Sequence, residues 1–250
     1  MKENFFHLKD KVCLITGASS GLGRKTCQIL DSYGAKVIAV ARREDRLKKL
    51  KNECKNLDYK VYDLSVQIGI KDLIDEIVTQ YGKINAMAYF AGVSCIKPLR
   101  MVDIEEAKKV FDINFFSCLE LLKCLYDKRK SENLSAVLIS SASLKMSISS
   151  MSIYDASKGA LDTLSVSLVK DFAKFGFRIN SILPAHIDTE MTHKVSSIRS
   201  DNYNLELEKL YPLGVGKDED IANLCVFLLS PLSAWMSGQS IVMDGGRALY

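Results

Sequence analysis

A tyrosine and a lysine stand four residues apart in the stretch "SIYDASKGALDTL", as Tyr154 and Lys158. On a helix that spacing puts both side chains on one face. A free phenol titrates near 10, and an ammonium beside it favours the phenolate. The pair therefore reads as a candidate general acid/base, with the Tyr154 phenol expected below its ordinary value. The same spacing on an exposed helix is common and inert, so the rest of the chain has to decide. A second chemical signal lies far upstream in "TGASSGLGRK", where Gly17, Gly21 and Gly23 follow an apolar run and open an amphipathic one. Glycines there allow a tight turn and close approach of backbone N–H groups to a pyrophosphate, and the following helix points its positive end at the anion. The spacing is a variant of the dinucleotide fingerprint.

The next apolar run, "VIAVARRED", sharpens the ligand. An acid at its end would accept from a ribose 2′-hydroxyl and signal NAD. Ala41 stands there instead, followed by Arg42 and Arg43. A guanidinium suits a 2′-phosphate through charge-assisted bonds, so NADP(H) is expected over NAD(H), with Arg42 as the binder and Arg43 as a solvated helix-entry charge.

The elements that must hold these residues alternate regularly. "KVCLIT" (11–16), "AKVIAVA" (35–41), "YKVYDL", "INAMAYFAG", "SAVLISS" (135–141), "FRINSIL" and "QSIVMDGG" read as strands. Helical stretches separate them, including 104–128, 153–174 and 218–230. The alternation implies an α/β fold with a mostly parallel sheet and helices on both faces. With 250 residues, four prolines and no Gly/Ser-rich linker, residues 1–250 read as one domain. The polar segment 189–216 has weak periodicity and is read as a substrate lid.

Composition bounds the function. The net charge of +4 is mild and scattered, which gives no support to a nucleic-acid or membrane-surface role. The seven cysteines lie mostly in apolar runs without a CxxC, and read as reduced packing residues of a cytoplasmic protein. Three histidines do not supply a zinc site. The first ten residues lack the apolar region of a secretion signal, and no stretch is apolar enough for a membrane span.

Taken in order, "TGASSGLG", "YDL" (62–64), "AGV" (91–93), "DIN" (112–114), "ISS" (139–141), "YDASK" (154–158) and "MDGG" (243–246) resemble the short-chain dehydrogenases/reductases, over about the whole chain. The general appearance is that of 3-oxoacyl-carrier-protein reductase-like members. The resemblance implies a three-layer, doubly wound Rossmann fold with a seven-stranded sheet, and an NADP(H)-dependent oxidoreductase interconverting a carbonyl and an alcohol. It implies Asn114, Ser141, Tyr154 and Lys158 as the catalytic set, with Ser141 and Tyr154 also meeting substrate. Cofactor contacts are implied for Gly17, Ser19, Ser20, Gly21, Leu22, Gly23, Asp63, Leu64, Ala91, Gly92, Tyr154, Lys158, Ile187 and Thr189. Asn114 is expected to hold, through backbone or side chain, a water that links Lys158 to solvent. A homodimer or homotetramer through the long helices is implied as well.

Two positions depart from the family pattern. Phe90 replaces the usual asparagine of Asn-Ala-Gly, and Ala185 replaces the glycine after Pro184. The substrate stays open between a carrier-bound 3-oxoacyl thioester and a sugar, polyol or other small alcohol or ketone. A basic patch for an acidic carrier protein would draw on Lys128, Arg129 and Lys130, but Phe175 stands where such reductases often place an arginine. A reading from another class is a non-catalytic NADP-binding sensor or scaffold.

Overall fold

The computed structural model describes residues 5–146, 148–190, 192 and 209–249. Most of the segment read as a lid therefore lies outside the described residues. Seven strands form one parallel sheet in the order β3-β2-β1-β4-β5-β6-β7. They are β1 (Val12–Thr16), β2 (Lys36–Ala41), β3 (Leu57–Val61), β4 (Ile84–Tyr89), β5 (Ser131–Ile139), β6 (Arg178–Pro184) and β7 (Ser240–Met243). The α/β reading from the alternation is borne out, and the sheet is wholly parallel.

Strand composition follows from burial on both faces. Along β1, Cys13 and Ile15 pack with one helical layer, which includes Leu30 and Ile221. Val12 and Leu14 pack with the other, which includes Ile74 and Leu161. Alternate residues point to opposite faces, and both faces are covered, so the run is apolar throughout. The first layer carries α1 (Gly21–Ser32), α2 (Glu44–Glu53) and α8 (Asp218–Leu229). The second carries α3 (Ile70–Tyr81), α5 (Ser117–Leu125), α6 (Ser152–Ser167) and α7 (Val169–Ala173). All seven cysteines are free and buried. Among the described residues no helix is long and apolar enough to cross a membrane.

From β1 the chain winds outward through β2 and β3, then returns to place β4 on the other side of β1. That reversal opens a crevice at the carboxyl ends of β1 and β4, the ligand position of open α/β sheets. Two expected boundaries shift. The helix expected over 104–128 is α4 (Ile104–Phe111), a wider π turn (Asp112–Phe116) and then α5. Tyr89 Oη braces the turn by donating to the Ile113 carbonyl at 2.5 Å. The strand expected at 135–141 runs from Ser131 to Ile139, so Ser140 and Ser141 leave the sheet at its carboxyl end.

Candidate active site

The glycine turn joins β1 to α1. Gly17 has φ +63°, and a Cβ there would lie 2.8 Å from both Ala91 N and Phe90 C. A Cβ on Gly23 would lie 2.7 Å from the Gly17 carbonyl oxygen. The start of α1, the turn and the exit of β4 thus touch backbone to backbone, and a side chain at either glycine would part them. The first turn of α1 has no acidic residue and its N-cap makes no side-chain bond. Its leading N–H groups face the crevice with the helix dipole behind them. This cradle fits a pyrophosphate.

Thr16 resolves the Phe90 departure. Its hydroxyl accepts from both Phe90 N and Ala91 N at 3.1 Å, which ties β1 to the chain leaving β4. Phe90 instead packs against the apolar layer that holds Ile15 and Ile139.

One cleft of about 730 Å³ gathers Gly17, Ser19, Ser20, Gly21, Leu22, Gly23, Arg42, Asp63, Leu64, Ala91, Gly92, Ser141, Tyr154, Lys158, Ile187 and Thr189. Most come from a strand end or the turn after it, Gly21, Leu22 and Gly23 from the start of α1, and Tyr154 and Lys158 from α6. Asn114 does not line the cleft and lies behind its wall, fully buried. Its amide donates to the Val93 carbonyl at 3.0 Å and to Ser157 Oγ at 2.9 Å, and its oxygen accepts from Val93 N at 2.8 Å. Both donors are used, and one lone pair of the oxygen stays available to accept.

The two arginines turn different ways. Arg42 is exposed and stands 3.9 Å from Asp63. Arg43 turns back over the cleft and donates to Ser19 Oγ at 2.9 Å and Ser20 Oγ at 2.6 Å. Its other nitrogen faces Glu190 at 3.4 Å, which also pairs with Arg46 at 2.5 Å. Arg43, read from the sequence as a solvated helix-entry charge, thus makes contacts inside the cleft. The two serines of the glycine turn were the available signal.

At the far end of the cleft, Ser141 caps a short turn (Ala142–Lys145) directly after β5. Tyr154 and Lys158 come from the first turns of α6. Ser140 Oγ donates to the Lys158 carbonyl at 2.9 Å and fixes α6 against β5. Lys158 is almost fully buried and its amine donates to the Ile139 carbonyl at 2.7 Å. That amine sits 5.8 Å from the centre of the Tyr154 ring. Gly92 lies between the groups: a Cβ there would be 3.3 Å from Asn114 Oδ1 and from Lys158 Nζ.

The protein's own groups act on the two side chains chiefly through burial. Burial pushes the Tyr154 phenol up to about 12, against an opposing hydrogen bond with Ser141 and with a smaller lift from Asp155. Burial brings the Lys158 amine down to about 8. A drier surrounding penalises both charged forms. Tyr154 is half-buried and lines the cleft.

Two residues without an assigned role complete this end. Ser143 Oγ lies 2.7 Å from Ser141 Oγ and donates to Asp155 Oδ1 at 2.5 Å. Asp155 was visible only as the variable letter inside "YDASK".

The remaining candidates have ordinary surroundings. Thr189 lies over the glycine turn, with its methyl 3.6 Å from where a Gly21 Cβ would be. Ala185 N donates to the Met243 carbonyl at 3.0 Å, joining β6 to β7. In the basic stretch, Lys128 stacks on the Phe175 ring at 4.5 Å, Arg129 pairs with Asp127 at 2.6 Å and Lys130 with Asp75 at 2.5 Å.

The family described as Enoyl-(Acyl carrier protein) reductase matches residues 17–248. A 3-oxoacyl-[acyl-carrier-protein] reductase of Thermotoga maritima is 31% identical over 97% of this chain and 99% of its own. A tropinone reductase homolog of Arabidopsis thaliana is 31% identical over 96% of this chain and 92% of its own. Among solved structures, the aldohexose dehydrogenase of Thermoplasma acidophilum in ligand-free form superposes with a TM-score of 0.87, at 26% identity, over 98% of this chain and 96% of that one.

Proposed function

This chain belongs to the short-chain dehydrogenase/reductase family and is an oxidoreductase of that family, and we propose that it interconverts a carbonyl and an alcohol with NADP(H), using Tyr154 as general acid/base. The observation that carries the reading is the meeting of Ser141, Tyr154 and Lys158 in the cleft that begins at the glycine turn.

The bound nicotinamide would supply or accept the hydride. Residues of the glycine turn and the first turn of α1 would hold the pyrophosphate, and Arg43 with Arg42 would face a 2′-phosphate. Lys158 would reach the ribose hydroxyls. With its phenol held protonated, Tyr154 is set to donate to a carbonyl oxygen as negative charge grows there. Ser141 stands beside it to polarise the same oxygen. Asn114 fixes the Val93 backbone and Ser157, and so keeps the wall behind Lys158 in register.

Substrates are small carbonyl compounds or alcohols. The basic residues 128–130 have partners within the chain, which favours a free small molecule over a carrier-bound one. The unit is a single NADP(H)-binding domain with a lid over 189–216, cytoplasmic and assembled as a homodimer or homotetramer. Exposed Phe116 and Val166 on the long helices support that assembly. The test is NADPH and NADH oxidation with a panel of ketones and aldoses, beside Tyr154→Phe. Cofactor binding without Tyr154-dependent turnover would favour the sensor reading instead.

A further inference from the structure

Glu190 bridges two sides of the cleft. It follows β6, and the arginines it meets follow β2, which lies on the other side of β1 in the sheet. Arg43 stands at the start of α2 and Arg46 in its first turn. Two nitrogens of Arg46 meet the two oxygens of Glu190, Nη1 at 2.5 Å and Nη2 at 3.3 Å. Nη1 of Arg43 stands 3.5 Å from Oε1 and 3.4 Å from Oε2 of the same carboxylate. The glycine turn holds the rest of the Arg43 guanidinium, with Nε donating to Ser19 Oγ at 3.1 Å beside the two Nη2 bonds described above. Glu190 and Arg43 both line the cofactor cleft. Of the other acids nearby, Asp63 faces Arg42 at 3.9 Å and Glu44 pairs with Lys48 at 2.8 Å. Among the described residues, Glu190 is the carboxylate in ion-pair contact with Arg43 and Arg46.

A carboxylate and a phosphate monoester compete for such a pair of guanidinium groups. Both accept paired N–H bonds, and the phosphate brings one more oxygen and more negative charge. A guanidinium has five N–H donors, so it can touch both anions at once, but two anions on shared donors repel each other. A nucleotide with a free 2′-hydroxyl brings no charge to this point and escapes that repulsion. Glu190 therefore discriminates by charge. Its side chain and those of Arg43 and Arg46 are each more than a third exposed, so the effect is that of a partly screened pair.

We propose that Glu190 is a specificity-determining residue: its carboxylate holds Arg43 and Arg46 as an internal substitute for the 2′-phosphate and lowers the preference for NADP(H) over NAD(H). Arg46 is then a second phosphate-reading arginine, held in reserve by Glu190. The proposal rests on the reading of Arg43 as a 2′-phosphate contact.

The test measures dissociation constants for NADPH and NADH by calorimetric titration. Glu190→Gln should raise the ratio of the NADH constant to the NADPH constant by about three- to tenfold, chiefly through tighter NADPH. Glu190→Ala should do the same, since the effect lies in the lost charge. Glu44→Gln removes an equal charge from the exposed start of α2 and should move the ratio less than about twofold. With Arg43→Ala and Arg46→Ala both present, adding Glu190→Gln should also move it less than about twofold. Thermal transitions check folding. An unchanged ratio in Glu190→Gln and Glu190→Ala overturns the proposal. Equal weakening of both nucleotides does so too, as the mark of a carboxylate that only braces the cleft. A Glu190→Gln gain that persists without the two arginines also overturns it. If the variant carrying Arg43→Ala and Arg46→Ala loses no more affinity for NADPH than for NADH, the 2′-phosphate reading falls and the proposal with it. If that variant selectively loses NADPH while Glu190→Gln keeps the parent ratio, the proposal alone falls.

Discussion

The two ends of the cleft are built from opposite materials. The phosphate end is made of backbone and missing side chains: Gly17 and Gly23 let β1, α1 and the exit of β4 close on one another. The other end is made of buried side chains whose hydrogens have assigned partners: Lys158 on Ile139, Asn114 on Val93 and Ser157, Ser143 on Asp155. Steric fit governs the first and proton placement the second. Substitution at one end should therefore fail differently from substitution at the other.

The sharpest separation should come from Tyr154→Phe. It should cost about 10²- to 10⁴-fold in turnover while leaving NADP(H) affinity close to the parent, as read by steady-state kinetics and calorimetric titration. Comparable losses in both would erase the distinction between the ends. Gly17→Ala should do the reverse and abolish cofactor binding. The new methyl meets Ala91 N and Phe90 C at 2.8 Å in a positive-φ backbone, at a stability cost of about 2–4 kcal/mol by denaturant unfolding. A variant with parent-like stability would show that the turn is looser than this contact requires.

The pH dependence of stability isolates the buried amine. Lys158 sits at about 8 when folded, below its ordinary 10.5. Between those values the unfolded chain binds more protons, so this residue makes stability rise with pH. The buried cysteines oppose that trend, because their thiols ionise more readily once unfolded. Comparing the parent with Lys158→Met cancels the cysteine contribution. The stability difference should shift toward the parent by up to about 3 kcal/mol from pH 8 to 10.5. A flat difference would mean that the amine is hydrated in solution.

The smallest effects are expected at the arginines. Arg43→Ala should weaken NADPH by about ten- to a hundredfold and NADH much less, the worth of a charge-assisted bond to phosphate. Arg42→Ala should weaken NADPH less than Arg43→Ala, since Arg42 is the more exposed of the two. The opposite ranking, measured by thermal shift with each nucleotide, would restore the order read from the sequence.

Much of this was legible in the chain itself. The order of strands and helices showed in the alternation of apolar runs, because a parallel sheet covered on both faces favours apolar strand residues. The glycine turn was legible because a missing side chain is a local property. Tyr154 and Lys158 were legible because four residues on a helix fix a shared face. The π turn at 112–116 was not, since it depends on how Tyr89 and Ser117 bind its carbonyls from other elements. The direction that Arg43 takes was also out of reach: a side chain leaving a strand end turns toward whichever partners the fold brings near.

By itself, then, the sequence determined what is short-range: helical faces, strand alternation, and turns that only glycine permits. Tertiary structure decided what depends on neighbours distant in the chain. It buried Tyr154 and Lys158 enough to favour their neutral forms, withdrew Asn114 from the cleft, and set Ser143 between Ser141 and Asp155. Proton affinity and hydrogen-bond direction answer to solvent and to partners in space, and neither is written in residue spacing.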